Sequence, residues 1–312
     1  MCRVGHPSRV RTPRPLPPHL ADVPFDRSAL RLTGMTEGRL KRRDVSRPFR
    51  GVQVTSTPAT IHEACRAYAV RLRPGQAFSH ATAALLHGLP LPARMEAVSP
   101  VHVCAVRPHM PPRAAGAVGH RLSITPLVQT LEGLPVCVAS EAWCQLGDEL
   151  TLDEAIVVAD HLLEHAPLDE AAARAVLGGR IRGTRRIGAA NLLAALEEAR
   201  GGARSPGETR VRLLLTRAGV PAPELNAPVT DSLGEVLGHA DLVWRSAGLV
   251  LEYEGDGHRI DRDQFRYDIE RYERFRDAGW EVIRVTADDL FGARRAALIE
   301  RVRRRLRARG VL

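Results

Sequence analysis

Hydrophobic and polar positions alternate on two periods along this chain, and the period changes mark out its elements. In the last third, an amphipathic stretch follows Ser205 through Val211–Leu215. Short apolar runs come next, at about Val229, at Gly238–Trp244 and at Gly248–Tyr253. A long amphipathic segment spans Asp263–Ala278, an alternating run Glu281–Thr286, and a last amphipathic segment Asp288–Arg309. Helix spacing against strand alternation predicts helix, three strands, helix, strand, helix. Further upstream, Phe78–Gly88 reads as a helix with a serine cap and a glycine stop. Val101–Val106 reads as a strand able to pair with Val118–Leu122. Ser140–Leu146, Leu152–Leu163, Leu168–Val176 and Ile187–Ala199 read as amphipathic helices. Gly178–Arg186 reads as a basic connector, and Gly201–Arg204 as a domain boundary. The expected class is mixed α/β, of the α+β kind. Residues 1–18 are expected to form a basic, Pro-rich disordered tail, 19–57 a small N-terminal domain, 58–200 a mixed, mostly helical middle region and 201–312 a C-terminal domain.

The C-terminal strands carry the chemistry. Asp241 opens one apolar run, and the next ends in Glu252-Tyr253-Glu254-Gly255-Asp256-Gly257-His258. Alternation puts Glu252 and Glu254 on one face of a strand, and Asp241 on a neighbouring strand would complete a carboxylate cluster at a sheet edge. Clustered carboxylates repel unless a cation lies among them, and hard oxygen ligands suit Mg²⁺ or Mn²⁺.

The pattern D-(x)10-E-x-E resembles the PD-(D/E)xK nuclease core, in which two acids hold the metal and a lysine follows. The longer set is similar to the branch of that superfamily related to very-short-patch-repair endonucleases. That set is Glu252-Tyr253-Glu254-Gly255-Asp256-Gly257-His258, Asp268-x-x-Arg271, and Gly279-Trp280-Glu281 followed by Val282-Ile283-Arg284-Val285. The resemblance runs from Ser205 onward and implies a restriction-endonuclease-like αβββαβ core. It also implies Mg²⁺ or Mn²⁺ on Asp241, Glu252 and Glu254, and metal-assisted hydrolysis of DNA. Two departures stand out. Glu254 occupies a position where aspartate is more common, and the superfamily lysine is missing, since Lys41 is the only lysine of the chain. His258 or Arg271 would have to take its part; histidine can act as a base near neutral pH, arginine cannot.

Each of these residues also has a plainer role. Glu208 follows Ser205 and Pro206 as a capping-box residue, against the metal-reaching glutamate that the resemblance implies on this first helix. Asp241 could close a strand end. Asp268 and Arg271 stand one helical turn apart and make either a surface ion pair or, with Gln264, groups that position the acids.

At the N-terminus, Phe25–Leu32 reads as a helix capped by Asp26, Thr36–Val45 as a basic helix capped by Thr36, and Pro48–Val54 as a strand. Helix, turn, basic helix, strand is the outline of a winged helix-turn-helix and resembles the N-terminal domain of AbiEi-type antitoxins. It implies DNA contact through Arg39, Lys41, Arg42 and Arg43. His80 and His87, with no acidic partner one turn on, read as packing or capping residues.

Composition narrows the classes. The 312 residues carry a net charge of +9 and a pI of about 10.1, which favours a polyanionic partner, here DNA. Arginine supplies nearly all of it, which discounts the signal where the genome is GC-rich. Five cysteines without a CxxC pair argue against a disulfide scaffold and a zinc site, and point to the reduced cytoplasm. No apolar run reaches the roughly 18 residues of a membrane span. A homodimer is compatible with all of this. The expectation is a metal-dependent DNA endonuclease; the alternative is a non-catalytic, antitoxin-like regulator on a degenerate nuclease fold.

Overall fold

The computed structural model describes residues 15–21, 23–183, 185–255 and 262–312, with the side chains of 262–268 left out. The tail expected to be disordered therefore lies mostly outside the described residues. The chain is a mixed α/β protein that divides into two compact units, 1–145 and 146–312.

The first unit begins with α1 (Pro18–Ala21) and α2 (Arg27–Leu32), whose cap is Asp26, with Oδ1 accepting the N–H of Ala29 at 2.9 Å. Leu16 packs on the small cluster of Leu20, Phe25, Leu30, Leu40 and Val45, so the end of the expected tail is ordered. The basic helix expected over Thr36–Val45 is instead a 3-10 turn, Glu37–Lys41, with Arg42 already extended. Gly38 weakens helix there, Thr36 makes no capping bond, and Arg39 folds onto Asp44. Isolated bridges Phe25↔Gln53 and Ser46↔Val54 stand where the strand was expected.

Next come α3 (Ile61–Ala69), β1 (Gln76–Phe78), α4 (His80–Leu86), β2 (Val101–Val106) and β3 (Ala117–Leu122). The unit closes with β4 (Val128–Leu131), β5 (Leu134–Cys137) and α5 (Ala139–Gln145). The strands form one sheet in the order β3-β2-β1-β5-β4. The middle region expected to be mixed and mostly helical carries six α-helices among the described residues, with a five-stranded sheet in its first half. β1, β4 and β5 span only three or four residues, too few for alternation to register.

The second unit opens with α6 (Leu152–Glu164), α7 (Glu170–Arg182) and α8 (Ala189–Glu198). The connector expected from Gly178 is a helix as far as Arg182, because Gly178 is buried where α7 meets Leu196 of α8. Then follow α9 (Pro206–Arg217), β6 (Glu224–Thr230), β7 (Val236–Trp244), β8 (Leu249–Glu254), α10 (Arg262–Asp277), β9 (Glu281–Thr286) and α11 (Gly292–Ala308). The sheet runs β6-β7-β8-β9, antiparallel except for the parallel pair β8 and β9 that α10 connects. Leu242, Leu249, Leu251 and Val285 pack with Val211 and Leu215 of α9 and Leu298 and Val302 of α11. On the other face Val243 and Val250 pack with Tyr272 and Phe275 of α10. The sheet is therefore covered on both faces, and polar groups gather at one end of its central strands.

Candidate functional site

The β7–β8 pairing sets the site. Its last registered pair is Leu242↔Leu251, so Asp241 and Glu252 stand one step further along. Residues opposite each other in an antiparallel pair share a face, and each step changes it. Glu252 and Glu254 therefore stand on the α10 face with Val250, and Asp241 lies beside them just past the end of the registered ladder. In the parallel β8–β9 pair Glu252 is registered with Arg284, which joins them.

The carboxylates are engaged. Asp241 Oδ2 accepts the N–H of Tyr253 at 2.7 Å. Glu252 is buried at 5% exposure and faces the guanidinium of Arg271, with Oε1–Nη1 3.1 Å and Oε2–Nη2 3.3 Å. Arg271 also donates to the carbonyl of His239 at 2.6 Å, and its guanidinium lies 4.9 Å from the ring centroid of Tyr272. Glu254 pairs with Arg284 Nε, and that guanidinium lies 5.6 Å from the same ring. Two of the three acids thus hold an arginine, and both arginines rest on Tyr272.

Glu208 has a different place. It is 6% exposed at the start of α9, where Ser205 Oγ accepts its N–H at 3.2 Å. Its Oε2 accepts the N–H of Arg204 at 2.8 Å and Asn226 Nδ2 at 2.7 Å. It fastens the preceding loop and β6 to the helix start. Beside it, Gly207 lets the helix end lie against Tyr253, whose ring a Cβ there would strike. His258 lies outside the described residues, as do the side chains of Gln264 and Asp268.

The acids are of the type a divalent cation needs, yet their arrangement does not fit one. Both oxygens of Glu252 take the Arg271 fork, Glu254 takes Arg284, and Asp241 holds a backbone N–H. Among the described residues, no three His, Cys, Asp or Glu side chains are placed to hold a metal ion. Arg271 is the direct partner of Glu252. Sequence reasoning missed Arg284. Its signal was a lone charge within the otherwise apolar core of Glu281–Thr286.

Of the four basic residues in the N-terminal segment, Lys41, Arg42 and Arg43 are exposed. Arg39 is not available to a ligand: it is buried, and its two terminal nitrogens reach Asp44 at 2.9 and 2.5 Å. In the five-stranded unit, His80 stacks on His120 with ring centroids 3.5 Å apart, and His120 Nε2 meets His102 Nδ1 at 3.0 Å. His80 is held by Ser79 and Gln145, and His87 by the carbonyl of Cys137. The four described cysteines are buried. No described helix is long and apolar enough to cross a membrane.

Comparison with known proteins adds little to the chemistry. No family model matches the chain, and no solved structure matches it. Two uncharacterized proteins of Mycobacterium tuberculosis, from strains CDC 1551 and H37Rv, are each 33% identical to it over 109 residues. The match covers 35% of this chain and 39% of each relative's length.

Proposed function

We propose that the protein acts on DNA and that residues 201–312 form a PD-(D/E)xK-type endonuclease domain hydrolysing phosphodiester bonds. The observation that carries this reading is the placement of Asp241 and Glu252 side by side on the two central strands of a helix-flanked β6-β7-β8-β9 sheet, with Glu254 on the same face. The net charge of +9 and the exposed Lys41, Arg42 and Arg43 support a polyanionic partner. In this reading the N-terminal segment holds DNA by its backbone; a 3-10 turn of five residues is too short for a recognition helix in the major groove. Mg²⁺ or Mn²⁺ is the cofactor the reading calls for, and a cytoplasmic location goes with five cysteines that lack a CxxC pair. What the chain's own groups do is hold charge: Arg271 and Arg284 neutralise Glu252 and Glu254, and Asp241 fixes the end of β8 through Tyr253.

A second reading, a non-catalytic DNA-binding regulator, is favoured by those same ion pairs together with the missing lysine.

Nicking of supercoiled plasmid with Mn²⁺ or Mg²⁺ separates the two, with wild type beside Asp241→Ala and Glu254→Gln, and DNA binding followed by fluorescence polarisation. The nuclease reading expects cleavage by wild type and loss of at least about tenfold in each variant, the scale of about 1.4 kcal/mol of lost transition-state stabilisation. Binding without cleavage by any of them selects the regulator.

A further inference from the structure

We infer that the open edge of β4 is a self-association surface, where two copies of this chain pair antiparallel about a two-fold axis at Gln129 and join their five-stranded sheets. The inference does not depend on the nuclease reading.

β4 stands at the end of its sheet and is paired with β5 alone. A two-residue turn, Glu132 and Gly133 with φ of 48° and 79°, fixes its register on β5. The N–H of Val138 donates to the carbonyl of Leu127 at 3.0 Å, so the backbone groups of Leu127, Gln129 and Leu131 face β5. Alternation then turns the N–H and C=O of Val128 and Thr130 to the open edge. The stretch Leu122–Leu131 carries no charged residue, in a chain where 26% of residues are charged. Its apolar side chains are in the open: Ile124, Leu127 and Val128 are 51%, 52% and 45% exposed. Gln129 and Thr130 are exposed beside them.

An open, uncharged edge is a template for another strand, and sheets ordinarily guard against that with charges, prolines or bulges. The other edge strands described here carry such guards. β3 has the exposed Arg121, and Pro111 and Pro112 lie against its Gly119. β6 has Glu224, Pro228 and a shift of register at Val229 and Thr230. β9 has Glu281 and Arg284. Val128–Leu131 has none of these. The occupant that fits is a second copy, because Leu127-Val128-Gln129-Thr130-Leu131 is matched to its own reverse. Antiparallel pairing about Gln129 sets Leu127 against Leu131 of the partner subunit. It sets Val128 against Thr130 of the partner subunit, and Gln129 against Gln129 of the partner subunit. Leucine meets leucine, one β-branched side chain meets another, and two amides meet that can each donate and accept. The same register brings the outward N–H and C=O of Val128 opposite those of Thr130 of the partner subunit, so the ladder closes as well. Charge points the same way. Two copies of a chain with net charge +9 repel each other, and a neutral strip lets them meet without setting like charges together.

Sedimentation velocity of the full-length chain, without DNA and across a wide range of concentration, tests this. A contact of this size belongs with small, transient interfaces, so wild type is expected to dimerise with a dissociation constant on the order of micromolar to 100 μM. Gln129→Lys and Gln129→Glu each set a charge against its own copy at the axis, and each is expected to weaken dimerisation at least about tenfold. Gln129 is exposed, so neither change should move the thermal melt. An equimolar mixture of the two variants sets opposite charges together and is expected to recover the dimer, which loss of fold could not produce. Wild type that stays monomeric up to about 1 mM overturns the proposal. So does a dimer that survives in both single variants, which would place the contact elsewhere on the chain. A mixture that stays as monomeric as its two components overturns the pairing about Gln129.

Discussion

Asp160 of α6 and Arg212 of α9 meet as a buried ion pair, 2.9 Å apart and 1% and 6% exposed at their side chains. Thr209 Oγ1 and the N–H of Arg200 donate to the same carboxylate at 2.8 and 2.7 Å, so its charge is fully surrounded by donors. The pair ties the helical segment before Gly201 to α9, the helix packed on the β6-β7-β8-β9 sheet. Removing one partner strands the other in a dry environment. Asp160→Ala is expected to cost about 3–5 kcal/mol, whereas the double apolar replacement Asp160→Leu with Arg212→Met costs much less. Urea denaturation of the two variants checks this; equal losses would show that packing rather than charge pairing is what counts there.

Gly207 gives a prediction whose sign is informative. Gly to Ala inside a helix ordinarily stabilises by up to about 1 kcal/mol. Here the added methyl meets the ring of Tyr253, the residue between Glu252 and Glu254. Gly207→Ala is expected to destabilise by about 1–3 kcal/mol, the usual cost of overpacking. It should also lower any nicking activity by shifting β8 against α9. A thermal melt that rises instead would place α9 further from β8 than described.

Acid should weaken the unit that contains the histidine trio. Burial holds His102 below its ordinary value of 6.5. His161 of α6, in the other unit, is lowered in the same way by burial and by the neighbouring His165. A histidine with a depressed folded value binds fewer protons folded than unfolded as pH falls below about 6.5, so stability is present above that value and is lost on the way down to the folded one. The His102–His120 hydrogen bond also needs one neutral ring. The urea midpoint should be lower at pH 5 than at pH 7.5, and His102→Gln should shrink that difference. A midpoint independent of pH would rule the trio out as its source.

The N-terminal basic residues should separate into two kinds. Arg39→Gln breaks a buried two-pronged pair with Asp44 and is expected to lower stability on the order of 1.5 kcal/mol. Lys41, Arg42 and Arg43 are exposed, and changing each to Gln should leave the melt in place. If these three hold DNA phosphates, each loss reduces the salt dependence of binding by a slope of about 0.9. An unchanged slope in the triple variant would move the DNA contact elsewhere, with exposed arginines of α11 such as Arg304 next in line.

Much of the C-terminal fold was legible because its signals are local. Alternation gives the strands at Gly238–Trp244 and Gly248–Tyr253 within two residues of β7 and β8, and helical spacing gives Asp263–Ala278 within one residue of α10. The Ser205 cap needs only the three residues that follow it. Such features depend on neighbours in the chain, and so does the sharing of one face by Glu252 and Glu254. By the same reasoning, elements of three or four residues such as β1 and β5 left no period to read.

By itself, then, the sequence determined the order of the C-terminal elements and the presence of three acids on adjacent strands. Tertiary structure decided what those acids touch. Arg271 lies 19 residues from Glu252 and Arg284 lies 30 residues from Glu254. The first contact depends on how α10 is rotated over the sheet, the second on the parallel register of β8 with β9. Glu208 likewise satisfies Arg204 and Asn226 because the helix start and β6 come together around it. No local spacing encodes these meetings, since each is set by how whole elements pack.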